Sequence, residues 1–424
     1  MTLKAAVTQA MLANRQIRAA DASIDVAKAR LTQAKAARLP QLSLESTAMR
    51  SNAPMTVFGS RLSQQAVTAT DFIPSSLNYP APITQFQSRI VLDLPLYRGG
   101  ALSSSIAQAE AQEQLRGHHK VQTQQQIIYR VIAAYSDALR AQHAQQVARQ
   151  AVKSATAHVN TAKHMLAKGM VLRSDVMDAE VHQLNAAVAV KQAGNSASDA
   201  KDRLRQLLAM GINHPIALLP WVGLNSKYAG DDEAQWVKRG LRYRAELAQE
   251  GAQLDALKAK ETTATAAFKP TLGLQVAQEW NNNTVLPQHG NTTVIAALRW
   301  NIFAGGADRA AQHAAEAASM KQVLMLDDLR QSIVVAVKHA LRQQHEINSR
   351  WQMRKQALAQ ANESLRIHTL RFRQGIENIN SMLDAQTRTD RAAEAVVQAR
   401  FDHQMAQASL MLAAGVLNQE AVSP

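Results

Sequence analysis

Thirteen histidines and no cysteine limit the chemistry open to this 424-residue chain. Two imidazoles on one helix hold a metal when they share a face, as in a His-Glu-x-x-His pattern, and no such pattern occurs. His118 and His119 are adjacent, so on a helix they point about 100° apart, and His158 and His164 stand six residues apart. The histidines therefore read as surface residues. The lack of cysteine removes disulfides, thiol nucleophiles, Cys-ligated zinc and a lipid-modified N-terminal cysteine. There is no nucleophile elbow, phosphate-binding loop or dinucleotide fingerprint, and the pairs Gly99-Gly100 and Gly305-Gly306 read as strand-to-helix joints. The chain is not expected to be an enzyme, nor to carry a metal or cofactor. What remains are carboxylates close behind two glycines: Asp175 and Asp178 after Gly169, and Asp384, with Ser381, after Gly375. A helix N-terminus favours a negative side chain, and that alone accounts for acids in such places.

Two long rods position these residues. Ala101 to Lys168 contains no proline and only Gly117 among glycines, and Gly306 to Gln374 again lacks proline. A continuous helix over either stretch is roughly 100 Å long at the α-helical rise. Charged and amide side chains recur throughout, which excludes a membrane-spanning helix. The two stretches align without gaps: Leu94-Pro95-Leu96-Tyr97-Arg98-Gly99-Gly100-Ala101 falls on Trp300-Asn301-Ile302-Phe303-Ala304-Gly305-Gly306-Ala307. Ile127, Val131 and Ala134 fall on Ile333, Val337 and Ala340, and Asp178 falls on Asp384. The chain is an internal duplication. It divides into a first repeat over 1–210, a linker with a small packed nub over 211–232, and a second repeat over 233–424. Upstream the register shifts, so the first copy carries an insertion between Leu44 and Leu94.

Each repeat opens with a helix, Thr2-capped to about Arg38 and from Glu233 to Phe268. Each closes with another that begins behind Gly169 or Gly375 and runs to about Met210 or Val416. Ser174 or Asp175, and Asn380 or Ser381, can cap the closing helices. The two shorter helices of a repeat together match the length of its rod, so the rod packs beside two stacked ones. Leu326, Leu329, Ile333, Ala336 and Ala340 form a seam of steps three and four. Between helix and rod the periodicity switches to two, which predicts strands at about 41–50, 84–97, 271–281 and 292–303. Ser51 to Pro82, with Pro54, Pro74, Pro80 and Pro82, reads as a long loop, and Asn281 to Asn283 with Pro287 to Gly290 as a shorter one.

The strands constrain the assembly. They are long enough to cross an outer membrane, yet a closed membrane barrel needs at least about 8 strands. An open sheet in lipid leaves edge groups unpaired, each at a cost of several kcal/mol. One chain cannot close the barrel, and three chains supply twelve strands. Gln41, Ser43, Glu45, Arg89, Asp93, Gln275, Glu279 and Arg299 should then face the lumen, because a charge on the lipid face at mid-membrane costs about 2 to 4 kcal/mol. Trp280, Trp300, Tyr97 and Phe303 suit an interfacial girdle or core packing under the barrel.

These features resemble the TolC-like outer membrane efflux proteins over nearly the whole chain. The resemblance rests on Thr2-Leu3-Lys4-Ala5-Ala6-Val7 with Asn14, on Leu94 to Gly100, on Gly169-Met170-Val171-Leu172-Arg173-Ser174-Asp175-Val176, and on Gly375 to Ala385. It implies a mainly α fold with β: a homotrimer with a 12-stranded barrel in the outer membrane and a long α-helical barrel in the periplasm. Such a protein is the exit duct of a tripartite efflux or type I secretion system, working with a periplasmic adaptor and an inner-membrane RND or ABC transporter. The resemblance makes Asp384 part of a constricting ring at the periplasmic tip, with Ser381 where a second aspartate often stands, and makes Asp175 a residue that holds the closed state. It assigns adaptor contact to the turns Gly169, Met170, Val171, Leu172 and Gly375, Ile376, Asn378, Ile379. Three like charges round a narrow axis repel one another and attract cations.

The chain starts directly in an amphipathic helical pattern without a signal peptide, as a mature or truncated form of an exported protein does. Its net charge of +14 is dispersed and its aromatic content is 4%, so nucleic-acid binding is not expected. A soluble coiled-coil scaffold is the competing reading, and it leaves four amphipathic strands unexplained.

Overall fold

The computed structural model describes residues 1–422 apart from 212, 222, 225–227, 229 and 287. Pro287 and parts of the expected linker thus lie outside the described residues. In chain order the elements are α1 (Leu3–Ala13), α2 (Arg15–Ala36), β1 (Gln41–Ser51), α3 (Pro54–Ser63), α4 (Pro74–Asn78), β2 (Ile83–Arg98), α5 (Ala101–Ala167) and α6 (Arg173–Leu207). They continue with α7 (Glu233–Tyr243), α8 (Ala245–Thr265), β3 (Thr271–Asn282), β4 (Gly290–Arg299), α9 (Ala307–Arg373) and α10 (Ile379–Ala413). The rods α5 and α9 are each 67 residues, and α6 and α10 each 35. No described helix is long and apolar enough to cross a membrane.

The chain forms two compact units, and α2, α5, α8 and α9 each contribute residues to both. One unit, entirely helical in its regular elements, comprises Met1–Ile24, Arg116–Glu250 and Met325–Pro424. Its core holds Ile127, Val131, Ile132, Leu204, Leu208, Val337, Leu410 and Leu417. The fully buried Tyr135 sends its hydroxyl between the carbonyls of Leu219 (2.7 Å) and Met1 (2.9 Å). The described part of the linker is a packed nub, with Ile216, Trp221 and Leu224 buried and the Trp221 carbonyl accepting from Gln404 Nε2 at 2.9 Å.

The opening helices break where a single helix is expected. Asn14 is extended (ψ 129°); its Oδ1 accepts from the Gln16 N–H and its Nδ2 donates to the Leu207 carbonyl. Arg244 is extended at the matching place (ψ 118°), bound to Glu246 and to the Ala413 carbonyl. At Asn14 the side-chain oxygen takes up a backbone N–H freed by the break, and at Arg244 the side chain ties the break to Glu246 and to the end of α10, which composition alone does not reveal. The α9 seam also shifts: Ala336 is exposed and Val337 takes its place between Ile333 and Ala340.

The other unit, Asp25–Leu115 and Gly251–Leu324, contains the sheet. It is an antiparallel meander in the order β1-β2-β3-β4, so β1 and β4 are its edges. Glu45 lies opposite Arg89 and Arg89 opposite Glu279; Gln41 lies opposite Asp93 and Asp93 opposite Gln275; Thr271 lies opposite Arg299. Since side chains alternate, the polar residues expected in the lumen share one face. Leu42, Leu44, Ile90, Leu92, Leu274, Val276, Val294 and Leu298 fall on the other. A bulge between Pro95 and Tyr97 accommodates a proline in a central strand.

Two expectations change here. β4 ends at Arg299, and Trp300 to Phe303 continue without strand pairing, because β3, its only neighbour, begins at Thr271, the partner of Arg299. The stretch Ser51 to Pro82 is not an open loop: it folds into α3, a 3-10 turn at Ala69–Phe72, and α4. Pro54 and Pro74 occupy first-turn positions, where proline's missing N–H costs nothing, so they start helices instead of breaking them.

Candidate functional site

The two helix turns lie together within the helical unit. Gly169 (φ +70°) closes α5 with Gly169 N–H to the Leu166 carbonyl and Met170 N–H to the Met165 carbonyl, both 2.9 Å. Gly375 (φ +70°) closes α9 in the same way, through Phe372 (2.9 Å) and Arg371 (3.0 Å). This is the left-handed C-terminal turn for which glycine is the low-strain residue. Val159, Ala162, Met165, Val176, Ala179, Phe372, Ile379, Met382 and Leu383 form one shared core beneath both turns, and Val171 packs on it. Ile379, expected to meet an adaptor, is 1% exposed and is part of that core. Met170, Leu172 and Ile376 are exposed, at 50%, 71% and 63%.

The caps differ from those read in the sequence. Leu172, not Ser174 or Asp175, is the N-cap of α6, and Asp175 at the third helical position reaches back to accept the Leu172 N–H at 2.8 Å. Asn378, not Asn380 or Ser381, caps α10, with its Oδ1 accepting from the N–H and hydroxyl of Ser381, both at 3.0 Å. Asp175 thus has a structural task, whereas Asp178 and Asp384 are exposed and make no hydrogen bond or ion pair among the described residues. Glu377, which the sequence did not single out, sits in the second turn between His368 Nδ1 (2.9 Å) and Arg371 Nε (3.7 Å). Its signal was a lone acid facing basic residues across the turn.

A half-buried polar cluster bridges the helices behind the turns. His158 on α5 meets Gln386 on α10 at 3.2 Å, and Gln386 Nε2 donates to Asp390 Oδ1 at 2.8 Å. Burial lowers the His158 pKa, with the charges of His182 on α6 and Arg373 on α9 adding to the effect against Asp390 and the Gln386 bond. Burial raises that of Asp390. His158, His182 and His403 are half-buried rather than surface residues, because they occupy the helix seams. A histidine whose folded-state pKa is depressed loses stability as pH falls through its unfolded value, about 6.5. Asp390, its pKa raised by burial, acts in the opposite sense. The thermal midpoint is therefore expected to fall between pH 8 and pH 5.5, and to fall less in His158→Gln; equal pH dependence in the two would show that His158 does not contribute.

In the sheet unit, Gln275 Nε2 donates to Asp93 Oδ1 at 2.9 Å on the polar face. The apolar face is open to solvent in the isolated chain: Leu42 and Leu44 are each 72% exposed, Leu298 69% and Val294 63%. By register Trp280 lies on this face near the β3–β4 turn, and Tyr97, opposite Leu272, on it at the sheet's other end. Trp300 and Phe303 are exposed just beyond that end, with Trp300 Nε1 donating to the Phe268 carbonyl at 3.1 Å. Core packing is thereby excluded for Tyr97, Trp300 and Phe303 within the chain.

A family described as outer membrane efflux protein matches residues 6–210 and 236–416. The chain belongs to this family. It is 22% identical to outer membrane protein TolC of Vibrio cholerae over 417 residues, covering 96% of this chain and 89% of that one. It is 26% identical to protein CyaE of Bordetella pertussis over 272 residues, 62% of this chain and 57% of CyaE, so that match spans little more than half of the relative. The solved outer-membrane channel OprN superposes with a TM-score of 0.83 at 17% identity, covering 99% of this chain and 90% of the other. The family protein is thus an outer membrane export channel with a large periplasmic helical part, and the soluble-scaffold reading falls.

Proposed function

We propose that three copies of the chain close a twelve-stranded barrel in the outer membrane and that the turns at Gly169 and Gly375 form its periplasmic entrance. The observation that carries this reading is the sheet: two unpaired edges, one apolar face open along its length, and one face bearing Glu45, Arg89, Asp93, Glu279 and Arg299. In lipid, edge pairing between copies removes every unsatisfied backbone group, and the curvature of a closed barrel puts the charges in water.

The entrance reading gives Asp384, exposed and unpaired, the role of a ring carboxylate near the axis, with Ser381 and Asp178 beside it. Asp175 acts by fixing the turn. An adaptor meets Met170, Leu172, Ile376 and Asn378, which are exposed, while Gly169, Gly375, Val171 and Ile379 set the shape of that surface. The partners are a periplasmic adaptor and an inner-membrane transporter of the RND or ABC class, and the export is efflux or type I secretion.

Planar-bilayer conductance, recorded alongside the mass of the detergent-purified protein, tests this. Trimers with small cation-selective currents are expected, and Asp384→Ala should increase the current while weakening the selectivity. A monomer or dimer without conductance would overturn the reading.

A further inference from the structure

The folded connection between β1 and β2 is out of proportion to the task of joining two strands. Val57 and Ser60 on α3 and Gln64 at its C-cap, at 2%, 4% and 5% exposure, stand three and four residues apart and are all buried. Helix α3 lies against β3 as well as β2. A segment that follows β1 reaches β3 only by crossing β2, so α3 runs across a face of the sheet.

The buried side chains identify which face. Gln85 Nε2 donates to Asn281 Oδ1 at 2.7 Å, with Gln85 9% and Asn281 0% exposed. Gln87 pairs with Asn281, and Met49 with Gln85, so both residues share the face of Arg89 and Glu279. Asn281 Nδ2 donates to Glu279 Oε1 at 2.7 Å. Buried amides keep their partners, and the Asn281 amide is bonded at both ends, to Gln85 and to Glu279. Gln64 Nε2 adds a bond from the C-cap of α3 to the Thr84 carbonyl at 3.1 Å.

The segment is also locked internally. Arg61 pairs with Asp71, whose carboxylate accepts from the Thr68 N–H (2.7 Å) and hydroxyl (2.9 Å). Those Thr68 bonds and the Arg61 charge hold the Asp71 pKa low. Phe58 and Phe72 pack edge to face, with centroids 5.6 Å apart. Residues 53–80 therefore behave as a small folded body and not as a flexible loop.

We propose that this body is a plug seated on the lumen side of the barrel at its outer mouth, a second constriction that restricts passage by size. The inference rests on the barrel reading above, which makes the polar face the lumen. The β3–β4 connection, much shorter, leaves room for it.

The absence of native cysteine permits a direct test. A single cysteine, Ser43→Cys, lies on the polar face at the far end of β1 from the connection, and Tyr79→Cys, 88% exposed on the plug, serves as an external control. Intact cells are treated with a small impermeant maleimide or the same group on a bulky polymer. With the plug in place, Ser43→Cys should react with the small reagent and exclude the polymer; with residues 54–80 replaced by a short Gly-Ser linker, both should react. Arg61→Ala keeps the segment and breaks only its latch, so it covers the case in which the deletion does not assemble. It is expected to speed polymer labelling by roughly 5- to 30-fold, the population change that one or two kcal/mol brings. Equal polymer access with the plug latched and unlatched would overturn the plug. No reaction at Ser43→Cys with either reagent in any variant, while Tyr79→Cys reacts, would instead overturn the lumen assignment on which it rests.

Discussion

Arginine in place of Val294 is expected to remove most of the assembled protein from the outer membrane, whereas arginine in place of its neighbour Ile295 should be carried with little loss. The two residues sit at the middle of β4 and pair with Val276 and Gln275, so they project to opposite faces. A charge on the lipid face at mid-membrane costs about 2 to 4 kcal/mol, roughly a 30- to 700-fold shift in the folded population. On the polar face, arginine joins Arg89, Asp93 and Arg299 in water. Both wild-type side chains are exposed in the isolated chain, at 63% and 45%, so neither substitution disturbs a core and the contrast reports on surroundings alone. Quantifying assembled trimer in outer-membrane fractions checks it; equal sensitivity at the two sites would mean that the sheet does not stand in lipid.

This contrast was legible in the sequence because a strand's period of two survives the loss of every other signal. Leu42 and Leu44 against Gln41, Ser43 and Glu45 fix the faces of β1 without knowledge of its partners, and the partners then follow from the hairpins. The rods were legible for a similar reason: proline and left-handed residues are the strongest helix breakers, and neither occurs between Ala101 and Lys168. Punctuation inside elements was less legible. Asn14 and Arg244 break helices through side-chain bonds to carbonyls 193 and 169 residues away in sequence, at Leu207 and Ala413, and no local pattern encodes such a partner. The prolines of 51–82 misled because proline both ends one helix and starts the next, and which role applies depends on what the following turn packs against.

Near the two turns the glycines could be placed from sequence, but the division of labour among the acids beside them could not. Asp175 and Asp178 differ by three positions and look alike in the chain. One accepts a cap N–H and the other makes no bond among the described residues, because the turn geometry leaves a backbone donor beside the first alone. His158 and Asp390 are more than two hundred residues apart and meet through Gln386, so their coupling belongs to the packing of α5 against α10.

Alanine in place of Gly415 is expected to be the most damaging of three otherwise equivalent glycine substitutions. Gly169, Gly375 and Gly415 close α5, α9 and α10 at φ +70°, +70° and +69°. Left-handed backbone costs a residue with a Cβ about 1 to 2 kcal/mol, and that term is common to all three. The chain already carries it at Gln65, Ala209 and His289, of which Gln65 (φ +53°) and Ala209 (φ +52°) end α3 and α6 in the same turn. What differs is the space. A Cβ at Gly169 meets nothing within 4 Å, and one at Gly375 meets only Met170 Cε at 3.5 Å. At Gly415 it falls 2.6 Å from the Tyr243 carbonyl carbon and oxygen and 2.7 Å from Arg244 N. These are backbone atoms at the break between α7 and α8 and cannot rotate away, so overpacking adds about 1 to 3 kcal/mol. Moving them strains the Arg244 bond to Ala413 and the bond from Gln125 Nε2 to the Gly415 carbonyl, 2.8 Å long. Thermal unfolding of the detergent-purified variants should rank Gly415→Ala well below Gly169→Ala and Gly375→Ala, which should resemble each other. If all three lose the same stability, the backbone strain alone sets the cost and the contact with Tyr243 contributes nothing.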